Sequence, residues 1–185
     1  STEDEIIMSV NDLYQDIFFP LKVNAEGPDA CTDDWMYRES LNPVVGGTIT
    51  GEWKIANEDY WLNSYKAITR CNTLLVNLER AADKIAPAIL SQYEAEVKFI
   101  RACQYSRLIS YFENVVYYTE PLDIDEAFKL GQSLKSDVLQ KIYDDFDFAI
   151  GNLPVEYTGS ALKKATKGAA LGMKARIALY SEDYT

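Results

Sequence analysis

Three aromatic residues and one amide in a polar setting are the first candidates for chemistry: Trp35, Tyr37 and Trp53, with Asn57 four residues after Trp53. A flat ring stacks on the axial C–H face of a pyranose, and amide, carboxylate and guanidinium groups pair with its hydroxyls. On that chemistry the three rings are candidate platforms and Asn57 is the candidate polar partner. The alternative is purely structural: the same rings pin their loop to the helices beside it.

Other chemistries are excluded or weakened by what the chain lacks. It contains no histidine, which removes Ser-His and Cys-His nucleophile pairs, imidazole metal ligands and the usual proton shuttle near neutral pH. Cys31, Cys71 and Cys103 lie far apart, so they build neither a redox CxxC pair nor a four-thiolate zinc site. Cys71 and Cys103 fall in apolar-periodic stretches and read as small buried hydrophobes. The acidic run Asp123-Ile124-Asp125 has Phe128 where a calcium loop needs glycine. Asp144, Asp145 and Asp147 read as a solvated helix face rather than an acid–base pair. No metal site and no cofactor is expected. The net charge of −11 repels phosphate backbones, so nucleic acid is not an expected partner.

The elements that must position any site are helical. With 185 residues, 48% of them hydrophobic, there is ample apolar surface for one core, and apolar residues recur at helical spacing in five stretches. Ile6, Val10, Leu13 and Ile17 mark a first helix over about 3 to 18, ended by Pro20. From Pro20 to Asp59 the period vanishes among Gly27-Pro28, Asn42-Pro43, Gly46-Gly47 and Gly51, leaving a long loop with room for weak strands around Val44 to Ile49. Loops this long tend to be functional, and this one holds all four candidate site residues.

Trp61, Tyr65, Ile68, Cys71, Leu75 and Leu78 form the stripe of a second helix. The third is expected to start at a capping box, Ser91 with Glu94, after Pro87 closes the connection, and to run to about Tyr111 with Glu94 and Lys98 paired. Leu134, Val138, Ile142, Phe146 and Ala149 give a fourth, stopped near Gly151 and Pro154. A fifth runs from Thr166, its N-cap, to Tyr180. Its small residues, Gly168 and Gly172 among them, predict a close helix–helix contact. The chain therefore reads as mainly α: residues 1–19 a first helix, 20–59 a loop insertion, 60–112 one helix pair, 113–131 a connection and 132–181 a second pair. Two hairpins in series predict a tetratricopeptide-like stack.

Three stretches, in order, resemble the RagB/SusD family. Trp61, Tyr65, Ile68, Arg70 and Asn72 match its W-x3-Y-x2-I-x-R-x-N helix. Glu96-Val97-Lys98-Phe99-Ile100-Arg101-Ala102 with Tyr105 matches its E-x-K-F-L-R-A-x-x-Y helix. Leu153-Pro154 and Ala165-Thr166-Lys167-Gly168-Ala169-Ala170, continuing to Lys174-Ala175-Arg176, match its L-P turn and A-T-K-G-A-A-x-x-L-K-A-R helix. Two positions depart from the pattern. Phe112-Glu113-Asn114-Val115-Val116 stands where F-G-D-V-P is usual, and Lys164 where arginine is usual. The motif residues read as scaffold, with Trp61 and Tyr65 on a buried stripe and Arg101 tying helix ends together.

The resemblance implies a SusD-like α-α superhelix and a non-catalytic protein that captures glycans at the outer-membrane surface. It would pass them to a TonB-dependent SusC-like transporter as its partner. It also implies a lipidated N-terminal cysteine; Cys31 lies beyond the first helix, so this chain is expected to be the N-terminal part of a longer one, its anchor elsewhere. The competing reading is a helical-repeat scaffold that binds only another protein. An acidic glycosidase is disfavoured by the helical framework and the lack of a convincing carboxylate pair.

Overall fold

The computed structural model describes residues 3–15, 18 and 60–184, and among these there is helix and turn but no strand. The helices are α1 (Glu3–Asp12), α2 (Tyr60–Arg80), α3 (Pro87–Phe112), α4 (Ile124–Ala127), α5 (Lys135–Asn152) and α6 (Lys167–Tyr180), with a 3-10 turn at Gly159–Lys163 before α6. α3 is the hub. It packs against α2, α5, α6 and α1, and α5 packs against α6. Burial on nearly every side explains its composition: between Tyr93 and Ile109 apolar residues occupy its whole circumference, with no polar face left over. α2 with α3 and α5 with α6 form the two hairpins expected from the sequence.

Several local expectations are met. Thr166 caps α6 by accepting a hydrogen bond from the Ala169 amide, and Lys98 pairs with Glu94 at 2.8 Å. Cys71 and Cys103 are buried with free thiols.

Others are corrected. α1 ends at Asp12, well short of 18, because the backbone tightens into i→i−3 hydrogen bonds at Leu13 and Tyr14. That turn still carries Leu13 and Phe18 into the core, each 1% exposed. α3 begins at Pro87, four residues ahead of Ser91. A proline at the first helical position has no N–H to leave unpaired, so the capping box at Ser91 is not needed and Ser91 lies inside the helix. A capping box does form at α4, where Asp123 accepts from the Glu126 amide at 2.8 Å and donates its own amide to the Glu126 carboxylate. Gly168 and Gly172 are exposed, and a Cβ at Gly172 would meet nothing within 4 Å. The buried residues of α6 are Ala170, one of the small residues in that stretch, and Ile177. Asp145, grouped by sequence with a solvated face, is 6% exposed and faces the core.

The turn after α3 answers what happens when a glycine is missing. Glu113 has φ 58° and ψ −100°, a backbone region that favours glycine. Lys135 steadies the turn by donating its Nζ to the Glu113 carboxylate and its amide to Asn114 Oδ1. The surface ion pair contributes little, so relief of strain should dominate. Glu113→Gly is expected to stabilise the chain by about 1 kcal/mol, read by urea denaturation; a loss of stability would show that the Lys135 contact outweighs the strain.

Candidate functional site

Trp35, Tyr37, Trp53 and Asn57, together with the strands expected around Val44 to Ile49, lie outside the described residues. What the structure gives is the framework from which that insertion leaves and to which it returns. Of its two roots, Phe18 is held by side chains of α2 and α3, and Tyr60, the first residue of α2, by side chains of α3.

Phe18 is buried, and its ring lies under the Arg70 guanidinium of α2 at 5.2 Å. Its carbonyl accepts from Gln104 Nε2 at 3.2 Å and from an Arg107 guanidinium N–H at 3.1 Å, both from α3. At the other root, Tyr60 stacks on Tyr111 with centroids 5.0 Å apart and lies 5.3 Å beneath the Arg107 guanidinium. Next to it stands an aromatic ledge: Trp61, Tyr111 and Phe112 are 39%, 58% and 42% exposed. Trp61 was expected on the buried stripe, but it belongs to the first turn of α2, beyond the reach of the hairpin's interior. The ledge was hidden in the sequence because the helical period alone does not show where the facing helix runs out.

Below the roots, the motif residues form a buried polar lattice. Arg101 donates to both carboxylate oxygens of Asp145 at 2.8 Å and to Asn72 Oδ1 at 2.9 Å. It thus ties the middles of α2, α3 and α5, rather than helix ends. Asn72 passes a hydrogen bond on to the Tyr118 carbonyl, which also accepts from the Tyr105 hydroxyl. The Tyr65 hydroxyl donates to the Val116 carbonyl at 2.9 Å. A second lattice centres on Glu96, whose side chain is fully buried. It accepts from Lys164 Nζ at 3.1 Å, the Tyr14 hydroxyl at 3.1 Å and the Tyr157 hydroxyl at 3.5 Å.

None of this is reactive chemistry. Among the described residues no three His, Cys, Asp or Glu side chains are grouped to hold a metal. Burial pushes the Cys103 thiol up to about 12 and the Cys71 thiol higher still, away from the thiolate a nucleophile needs. Burial likewise pushes the Tyr65 and Tyr117 hydroxyls up to about 12. It raises Tyr105 and Tyr14 further, the Glu96 charge adding to it at Tyr14. These are fixed donors, built to hold rather than to exchange protons. A raised folded-state value means that stability is complete below pH about 10, where tyrosines of the unfolded chain titrate. It is lost as pH rises beyond that, because the unfolded chain releases protons that the folded one keeps. Of the 13 tyrosines, a class is expected to ionise only as the chain unfolds. Tyrosinate absorbance followed beside circular dichroism checks this; smooth titration of every tyrosine without unfolding would refute it.

Comparison with known proteins adds a framework of relatives. The model of a SusD-like family, described as starch-binding and associating with the outer membrane, matches residues 4–179. A SusD-like protein P25 of Formosa agariphila is 29% identical over 145 residues, covering 78% of this chain and 27% of that protein. A solved laminarin-binding SusD-like protein superposes with TM-score 0.79 at 25% identity, over 98% of this chain and 41% of that one. A SusD-like protein from Bacteroides fragilis gives TM-score 0.72 at 27% identity, over 100% of this chain and 36% of that one. The chain therefore spans between about a quarter and two-fifths of the length of these relatives.

Proposed function

Since the chain belongs to the SusD-like family, we propose that it is part of a non-catalytic glycan-binding protein of the outer-membrane surface that delivers oligosaccharide to a SusC-like transporter. The observation that carries this is the family match over residues 4–179, with the motif residues Asn72, Arg101 and Tyr105 engaged in the lattice that holds the helices together. The chemistry of the insertion supports it. Trp35, Tyr37 and Trp53 supply ring faces for a sugar and Asn57 an amide for its hydroxyls. The charge of −11 bears only weakly on ligand choice, and Lys164, one of two lysines just before α6, is already committed to Glu96.

The test is affinity electrophoresis of the protein, expressed from its whole reading frame, through gels containing laminarin, starch or xyloglucan. Retardation by at least one glycan is expected, reduced roughly three- to tenfold in Trp53→Ala or Trp35→Ala, the range for one lost aromatic contact, with unchanged thermal melting. No retardation by any glycan would sink the reading. Co-purification with a large outer-membrane protein and indifference to carbohydrate would favour the protein-only scaffold.

A further inference from the structure

We propose that Arg107, seconded by Gln104, is the clasp of the 19–59 insertion: one guanidinium holds the residue where the insertion leaves the helices and the residue where it returns. The hydrogen bond to the Phe18 carbonyl and the cation–π contact to Tyr60 come from the same side chain. Arginine suits the task because its planar fork donates along its edge while its face lies on a ring, which a lysine ammonium cannot do together. Gln104 and Arg107 are three residues apart on α3, hence on one face, and converge on the same carbonyl oxygen.

Gln104 shows that this convergence is maintained at a cost. Its side chain is fully buried, its amide nitrogen donates to Phe18, and its Oε1 has no hydrogen-bond partner among the described residues. A buried acceptor left unpaired is unfavourable. An apolar side chain of the same length would remove that cost and would also remove the donor. The arrangement makes sense if the donor on Phe18 is what the position is for.

The consequence is that Arg107 is a positioning residue. It acts through the two roots, fixing the span between them and so narrowing the conformations open to the segment carrying Trp35, Tyr37, Trp53 and Asn57. The positioning role rests on the glycan reading, whereas the clasp does not.

Trypsin supplies the test, because Lys22, Arg38 and Lys54 all lie within the insertion. In Arg107→Met, cleavage at these three sites is expected to speed up about tenfold, as loss of a charge-assisted hydrogen bond implies when cleavage follows local opening. The helical melt should hardly move, and Arg107→Lys should fall between. Gln104→Met is the second variant: cleavage at the same sites should rise while the melt holds or improves. Unchanged cleavage in both methionine variants overturns the clasp, as does cleavage that rises only in step with global unfolding. If cleavage rises but glycan retardation stays at the wild-type level, the clasp stands and the positioning role is overturned. If the wild-type chain binds no glycan, the proposed function falls and the proteolysis result still decides the clasp.

Discussion

Asp145→Ala is expected to cost about 3 to 5 kcal/mol, the range for removing one partner of a buried ion pair. Arg101 is 6% exposed, and two of its three hydrogen bonds end on Asp145. With the carboxylate gone, its charge would remain in the interior of α2, α3 and α5 with only Asn72 to receive it. In a chain of this size that loss lowers the melting temperature by roughly 6 to 20 °C. The comparison that separates pairing from packing is the double variant Arg101→Met with Asp145→Leu. Replacing both charges by apolar groups removes the desolvation penalty along with the attraction, so most of the lost stability should return. A single variant that melts within 2 °C of the wild type would show that water reaches Arg101.

Lys164→Met should be nearly as damaging, by about 2 to 4 kcal/mol, for the mirror-image reason. Glu96 then keeps its buried carboxylate with only the Tyr14 and Tyr157 hydroxyls and no cation. The effect should spread, because Tyr14 also accepts from the Ala165 amide at 3.1 Å. One cluster thus fastens the turn after α1, the centre of α3 and the approach to α6. Lys164→Arg should be tolerated, since a guanidinium keeps a cation beside the buried Glu96 carboxylate. Adding Glu96→Gln to Lys164→Met should restore part of the loss. Urea denaturation of the four proteins checks the pattern, and equal stabilities of Lys164→Met and Lys164→Arg would contradict it.

How legible these features were depended on whether the information was local. The stripe of α2, the Thr166 cap and the Glu94–Lys98 pair involve residues within a few turns of one another, and the sequence displays them. Asp145 was misread beside Asp144 and Asp147 because its partner lies 44 residues away on another helix. Glu96 and Lys164 are 68 apart, and nothing in either neighbourhood announces the other. Ser91 and Glu94 have the spacing of a capping box, but Pro87 starts α3 one turn earlier, so a correct local rule was applied at the wrong position. Of the candidate site, the missing helical period marks residues 20–59 as an insertion, and its aromatics lie outside the described residues. The side chains that hold its roots were not legible, because Gln104 and Arg107 bond a carbonyl 86 and 89 residues away and nothing beside them in α3 announces it.

The stretch from Val115 to Tyr118 bears on solubility. It holds the one isolated β-bridge among the described residues, in which the Ser133 amide donates to the Val115 carbonyl. Three more of its backbone polar atoms are taken by side chains: the Val116 carbonyl by Tyr65, the Tyr118 carbonyl by Asn72 and Tyr105, and the Tyr118 amide by the Tyr105 oxygen. Extended, aromatic and β-branched sequence of this kind ordinarily offers a sticky edge on which a second molecule can build a sheet. Here tyrosine hydroxyls and an amide occupy three of the positions that an incoming strand would use, so the bonds that brace the scaffold also shorten the edge open to such pairing.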